Sequence, residues 1–548
     1  MKNLISICLL LLMQAAFCQI NTVQIDSIVN SKIDAKDPSL FVGVVLDGEI
    51  VYKKYRGMAS LQNQVAVHSA SRNNVASVAK QFTALMVLDL HLKGQLDLDD
   101  DFRKYLPELY KTVPSTIKIR HLINHTSGVR DYADLLSIKR DPWWSQLGMN
   151  NDDVIENILS KQETLAFPAG SSYIYSNSGY TLLTKIIEVV TKQDFHDYSD
   201  AFFKSLGMDN TAFAKDYMLV IPNQVLPYSD WGDGIWKQYP MLTDLYGDGF
   251  LYTTLEDQLQ FEQAIQQAVE QDNELLIKSQ QPIPNSEIAT YGFGLELTER
   301  LGYKAVHHSG GTGSYHAQTV RIPSENLSVF VMSSNSRIWS GYIADEIIQS
   351  ILPKKISNIK YAEAMQNGTF LANEKVILGK YRSPQGAVVQ IQKSENGIQW
   401  KMDNNNPMPL DLTDNNLYEM RRWKVNKLGF ENTLKGMNMI LFEPGGNKIE
   451  HHKLEKYKAS NKDINDLFGE YYSEELEIGF RIASNKDGEP TFQMDGQSEP
   501  DNLEIIHKND LLFNDYRLSV VRDKNDKILK ILLTTNRALN VVFVKKKY

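Results

Sequence analysis

Between Val75 and Leu92 the chain carries a helix-like stretch that is apolar on most faces and ends at Lys93-Gly94, a plausible C-cap. A helix without a polar face belongs at the centre of a domain, with other elements packed around it. Candidates for those elements lie on both sides in sequence. Val44 to Tyr52 reads as a hairpin about Asp47-Gly48. Helical patterns recur at Thr181–Thr191 and Glu256–Val269, and strand-like runs return at Ala317–Ile322 and Leu327–Met332, split by Pro323-Ser324-Glu325-Asn326. Strands at both ends with helices between them predict a mixed α/β domain from about Ile25 to Pro353, its terminal strands sharing one sheet.

After Pro353 the character changes. Ser357 to Gly368 is polar and reads as a connector, and beyond it the chain turns to strand-turn-strand patterning that repeats. Leu378-Gly379-Lys380-Tyr381-Arg382-Ser383 matches Phe468-Gly469-Glu470-Tyr471-Tyr472-Ser473. The hairpin of Val388–Gln392, Glu395-Asn396-Gly397 and Ile398–Met402 returns as Gly479–Ala483, Asn485–Glu489 and Pro490–Met494. The units close at Lys456-Tyr457 and Lys547-Tyr548. Two copies of one antiparallel β unit, each of about eight short strands closing into a barrel, account for this better than one larger β domain.

A length of 548 residues fits several domains, and 42% hydrophobic with 23% charged residues fits a globular protein. The formal net charge of −9 argues against a nucleic-acid partner. Lys2, the apolar run Leu4–Met13 and Ala15-Ala16-Phe17-Cys18 before Gln19 form a predicted secretory signal over residues 1–18. Its apolar run is too short for a stable span, and no later stretch is long and apolar enough to be transmembrane. Cleavage before Gln19 is favoured over lipidation at Cys18, because Phe17 is bulky where lipidation signals want a small residue. Cys8 and Cys18 are the only cysteines, so the mature chain is expected to hold no thiol, disulfide or cysteine metal site.

Ser77-Val78-Ala79-Lys80 places a serine and a lysine on one helix face, within reach of each other. Serine needs a base to act as nucleophile, and a lysine serves if burial and nearby positive charge keep it neutral. Ser115–Lys118 and Ser357–Lys360 share the spacing, but only Ser77 opens a long, buried helix. Tyr175-Ser176-Asn177, in a loop entering a helix, offers a phenol that loses its proton more easily near a lysine and can shuttle it to a leaving group, and an amide to hold a substrate carbonyl. His307-His308-Ser309-Gly310-Gly311-Thr312-Gly313 precedes a strand, where glycines let a substrate backbone approach and a backbone N–H complete an oxyanion hole. No carboxylate at ligand spacing supports a metal at these histidines.

In this order the three elements resemble the serine β-lactamase and penicillin-binding-protein superfamily, nearest its class C β-lactamase, DD-peptidase, D-aminopeptidase and esterase branch. Gly94–Asp100, Ile119–Gly128 and Gly247–Thr254 extend the likeness over the N-terminal domain. The resemblance implies a β-lactamase/transpeptidase-like α/β domain over 19–355, its antiparallel sheet flanked by helices. A linker at 356–369 and two small all-β, lipocalin-like barrels at 370–458 and 459–548 follow. It implies Ser77 as nucleophile, Lys80 and Tyr175 sharing the proton work, and Asn177 positioning substrate. His308, Ser309 and Gly310 line the strand edge, and the backbone N–H groups of Ser77 and Gly311 form the oxyanion hole. His125-Thr126-Ser127-Gly128 is expected to be architectural.

No cofactor is implied. The expected partner is a small-molecule or peptide substrate in the periplasm or outside the cell, with the oligomeric state left open. His308 stands where many members have lysine, which weakens a fixed charge for a substrate carboxylate. The plan of one such domain with two barrels is most like the D-aminopeptidase type, in which a loop of the last barrel reaches the active site and helps recognise a free amine. The expected order of activities is peptidase on small or D-residue peptides, then esterase, then β-lactamase. A non-hydrolytic penicillin-binding or cell-wall-sensing protein is the alternative of another class.

Overall fold

The two ends of the N-terminal domain meet in one sheet. In a computed structural model of the chain, the described residues are 20–546 except 231–232, 354–369, 384–387, 396, 403–406, 414–415, 421–426, 435, 443–447, 456 and 515. The predicted signal with Cys8 and Cys18, the connector and the Ser357–Lys360 pair lie outside them. The elements that build the site are α1 (Thr22–Lys32), β1 (Leu40–Leu46), β2 (Glu49–Arg56), α2 (Lys80–Leu92), α3 (Asn177–Thr191), α4 (Leu255–Gln267), β3 (Glu296–Arg300), β4 (Tyr303–Thr312), β5 (Tyr315–Ile322), β6 (Leu327–Ser333) and α5 (Ser340–Ile351).

The sheet runs β3-β4-β5-β6-β1-β2 and every pairing is antiparallel, with Leu40 opposite Ser333 and Leu46 opposite Leu327. The pleat sends alternate residues of β1 to opposite faces. Leu40, Val42 and Val44 join Ile25 and Val29 of α1 and Ile343 and Ile347 of α5. Phe41 and Val45 face the larger core that holds α2 and α4. Two apolar layers on one sheet account for strands buried on both sides.

The helix predicted from Val75 is buried throughout its first nine residues, Lys80 to Leu88. Its start differs from expectation. Ala76–Ala79 is a 3₁₀ turn, and the α-helix begins only at Lys80. Ala76 takes a positive φ of 47°, and its N–H is held by the Asn74 side chain at 2.8 Å. The turn thus bends away from the helix axis and presents Ser77 to the cleft instead of to the core.

Beneath this turn lies a fully buried ion pair. Arg321 Nε donates to Glu262 Oε2 at 2.7 Å, and Arg321 Nη2 donates to both Glu262 Oε1 and Gln81 Oε1 at 2.8 Å. Thr319 adds a hydroxyl donor to the carboxylate at 3.0 Å. The network ties β5 and α4 to the residue next to Lys80.

The repeat in the sequence is a repeat in structure. Eight strands from Gly379–Arg382 to Lys448–Lys453 close into a barrel. Nine strands from Gly469–Ser473 to Val541–Lys545 form the second unit, whose sheet ends, Asp501–Asn502 and Glu504–His507, are consecutive segments separated by Leu503. The correspondence extends to single contacts. Tyr381 donates to the carbonyl of Ile377 and Tyr471 to that of Leu467, both at 2.7 Å. Lys453 lies 5.8 Å from the Tyr381 ring centroid and Lys545 lies 5.6 Å from that of Tyr471. Gly379 and Gly469 have φ of 146° and 145°, and a Cβ on either would come 2.7 Å from the matching lysine's Cε. Glycine is required there twice for one reason, which is why it recurs in the repeated six-residue segment. No helix among the described residues is long and apolar enough to cross a membrane.

Candidate active site

Ser77 and Lys80 face each other across the turn that opens α2, with Nζ 3.2 Å from Oγ. Lys80 is buried, and its ammonium also donates to Asn177 Oδ1 at 2.9 Å and to the Asp248 carbonyl. Burial brings its pKa from 10.5 down to about 8; Asp248 and Asp131 oppose the fall and the Arg537 charge adds to it. A lysine held there is neutral in a usable fraction near neutral pH, as a base must be.

Asn177 begins α3, and its backbone N–H donates to Asp131 Oδ2 at 2.6 Å. Its side chain holds Lys80 as well as lining the cleft. Tyr175 hydrogen-bonds Ser77, and Lys80 Nζ lies 5.1 Å from its ring centroid. The expectation that lysine would ease ionisation of this phenol is corrected. Burial pushes the Tyr175 pKa well up despite the bond to Ser77 and the Arg537 charge. The resting group is a phenol that donates a proton.

Residues 308–312 of β4 run past the end of β3, which pairs only as far as His307. That leaves a strand edge beside Ser77, and Ser309 and Gly311 line the cleft there. Gly310 does something different. A Cβ on it would stand 2.2 Å from the Val75 carbonyl and 3.0 Å from the Ser77 nitrogen. Its lack of a side chain lets β4 press against the nucleophile's turn. Gly310→Ala is expected to displace the Ser77 N–H and lower kcat about 10²-fold, checked by steady-state kinetics on a variant whose unfolding is measured alongside.

His308 is buried between the Tyr291 hydroxyl at 2.9 Å and the Ser309 carbonyl at 2.6 Å. Burial, then the Lys80 charge, takes its pKa down to about 3, so it is neutral and offers no cation to a substrate. His125, from the segment expected to be architectural, accepts from the Ser176 N–H at 3.2 Å and packs against Tyr175 with ring centroids 4.2 Å apart. Its neighbours Thr126 and Gly128 accept from Gly170 and Ala166, which fixes the loop that delivers Tyr175.

Several residues around the site were not singled out as candidates by the sequence. Asp248 is buried with Tyr132 donating to Oδ2 at 2.9 Å, and burial raises its pKa. Trp143, Trp144 and Trp339 also line the cleft. Arg537 comes from the second barrel unit, as the implied loop does. Its guanidinium lies 4.8 Å from the Tyr175 ring centroid. The loop is clamped by the catalytic domain: Thr535 Oγ1 and the Arg537 N–H donate to Asp134 Oδ2 at 2.6 and 2.9 Å, and Arg130 Nε donates to the Leu539 carbonyl at 2.7 Å. The cleft enclosed by these groups measures about 590 Å³. Among the described residues, no group of three or more His, Cys, Asp or Glu stands where it could hold a metal ion.

The chain is similar to several known proteins. Residues 25–346 match the Beta-lactamase family. A D-aminopeptidase of Brucella melitensis biotype 2 is 25% identical over 456 residues, covering 82% of each chain. One of Gluconobacter oxydans is 27% identical over 301 residues, 54% of this chain and 55% of the relative. The octameric penicillin-binding protein homologue from Pyrococcus abyssi superposes with a TM-score of 0.56 at 20% identity, covering 79% of this chain and all of its own.

Proposed function

Because the chain belongs to the Beta-lactamase family, in which it stands as a D-aminopeptidase-like serine hydrolase, we propose that it is an exported peptidase acting on small or D-amino-acid-containing peptides through an acyl-enzyme at Ser77. Ser77 Oγ attacks the scissile carbonyl carbon while its proton passes to neutral Lys80. The Ser77 and Gly311 N–H groups hold the developing oxyanion. Tyr175 donates to the departing amine as the carbon–nitrogen bond breaks and regains a proton from Lys80. Water then attacks the ester carbonyl while Lys80 takes its proton, and as the bond to Ser77 Oγ breaks Lys80 returns that proton to Oγ, so the acid leaves with Ser77 and Lys80 restored. Amide and water become acid and amine, with no group consumed.

The observation that carries this reading is the contact of Ser77 with a buried lysine whose pKa is brought down to about 8. The D-aminopeptidase relatives, similar over 82% of the chain, support the peptide substrate. A fluorophosphonate probe tests the nucleophile: wild type is expected to be labelled and Ser77→Ala is not. Equal labelling of the two would end the assignment. Turnover of D-alanyl amides against p-nitrophenyl esters and a chromogenic cephalosporin tests the substrate class, with the amides expected to be hydrolysed best.

A further inference from the structure

We propose that the half-exposed rings of Tyr173, Trp339 and Tyr342 form an apolar subsite for the departing portion of the substrate, so that peptides whose leaving residue carries an aromatic side chain are preferred. The inference rests on Ser77 being the nucleophile and Tyr175 the proton donor to the leaving amine. A second cleft of about 830 Å³ adjoins the one that holds Ser77. Tyr175, Glu296, Ser309, Trp339 and Arg537 line both, so the two form one continuous groove. Tyr175 stands where they meet, and the second cleft therefore receives what departs past it.

The exposure of aromatic side chains marks this groove. The chain has 7 Trp, 26 Tyr and 21 Phe. Among the described residues, four of these rings keep a large exposed face: Trp144 at 49%, Tyr173 at 43%, Trp339 at 50% and Tyr342 at 37%. All four line the groove, Trp144 in the Ser77 cleft, Tyr173 and Tyr342 in the second, and Trp339 in both. Exposed rings scattered singly over a surface need no explanation, whereas their gathering on one groove marks a binding face.

Each of the three rings at the second cleft is anchored at its base. Trp339 directly precedes α5 and packs against His316 with ring centroids 5.0 Å apart. Tyr342 lies on the first turn of α5, its N–H donating to the Trp339 carbonyl at 3.1 Å. Tyr173 belongs to the loop that delivers Tyr175 and meets His125 edge-on at 5.9 Å. Rings held this way offer a large contact area at little conformational cost. Charge does not select a ligand here. Glu296, Glu299, Arg300, Asp345 and Arg537 line the second cleft, and Arg300 and Asp345 are paired with each other at 2.5 and 3.1 Å, so both signs remain. The preference falls to the rings, which reward a second ring through buried area and edge or face contact.

The full-length chain is labelled at Ser77 with an uncharged fluorophosphonate in competition with two dipeptide amides, D-alanyl-D-phenylalaninamide and D-alanyl-D-alaninamide. Wild type is expected to be protected by the first at a concentration about 10-fold or more below the second. This ratio is expected to fall to near one in Trp339→Ala and to recover in part in Trp339→Phe. Tyr342→Ala, which leaves the Trp339 contact with His316 in place, is expected to lower it several-fold. Trp144→Ala, at a ring that lines the Ser77 cleft alone, is expected to keep the ratio within about twofold of wild type. Equal protection of wild type by the two amides, protection by neither, an unchanged ratio in Trp339→Ala or Tyr342→Ala, or an equal fall in Trp144→Ala overturns the aromatic subsite alone. No labelling of wild type overturns the nucleophile and this proposal with it. Ratios taken within one variant cancel any general effect of the substitution on folding or on Ser77.

Discussion

Replacing Lys80 by methionine is expected to lower kcat/KM by about 10⁴-fold, because it removes the base while leaving the hydrophobic volume of the turn in place. The wild-type profile is expected to rise through a pH near 8, where Lys80 loses its proton. The same substitution has a second, independent readout in stability. Lys80 falls from 10.5 to about 8 on folding, so between these values the unfolded chain binds more protons than the folded one. Stability that depends on this group therefore grows as pH rises from about 8 to 10.5 and is absent below that window. Measured against Lys80→Met, the wild-type unfolding free energy is expected to gain about 3 kcal/mol across the window, about 1.4 kcal/mol for each unit of the shift. A flat difference between the two proteins would show that the lysine is not held at lowered pKa.

Glu262→Ala is expected to destabilise the catalytic domain by about 3–5 kcal/mol, since it leaves the Arg321 charge buried without its partner. The residue has no exposure, and Arg321 has 3%. Calorimetry is expected to show the domain's transition lowered by roughly 5–10 °C. Glu262→Leu with Arg321→Met is expected to recover most of that loss, because no charge then remains in the core. Activity separates the two outcomes. Gln81 gives its amide oxygen to Arg321 at 2.8 Å and adjoins Lys80, so the doubly apolar variant regains stability before it regains turnover.

How much of this was legible in the sequence follows from the range over which each signal acts. The hairpin at Asp47-Gly48, the strands flanking Pro323–Asn326 and the repeated barrel unit are written in local alternation, and all appear in the fold. Ser77, Lys80, Tyr175, Asn177 and His308 were marked by short spacings, and the structure brings all five to one cleft. Local pattern failed where a single dihedral decides the outcome. An apolar run reads as continuous helix, and nothing in it shows that Ala76 turns left-handed and splits off a 3₁₀ turn. Proximity to Lys80 likewise suggested an easily ionised Tyr175, whereas burial, which has no local code, dominates. Gly310 stood among residues expected at the substrate's strand edge, but its bare α-carbon serves contact with Val75. Asp248 sat within a stretch noted only for resemblance. Arg537 had no mark at all, since its significance lies in a clamp formed with Asp134 and Arg130 some 400 residues earlier.

That clamp also sets a timetable. Ser77 and Arg537 meet in one cleft although 460 residues of synthesis separate them. At roughly 5–20 residues per second, the nucleophile waits on the order of half a minute or more for the wall that faces it. Through that interval the nascent chain carries a serine and lysine with no guanidinium over Tyr175, and burial at the cleft is incomplete. The cleft therefore has its full wall only once the second barrel has folded onto Asp134.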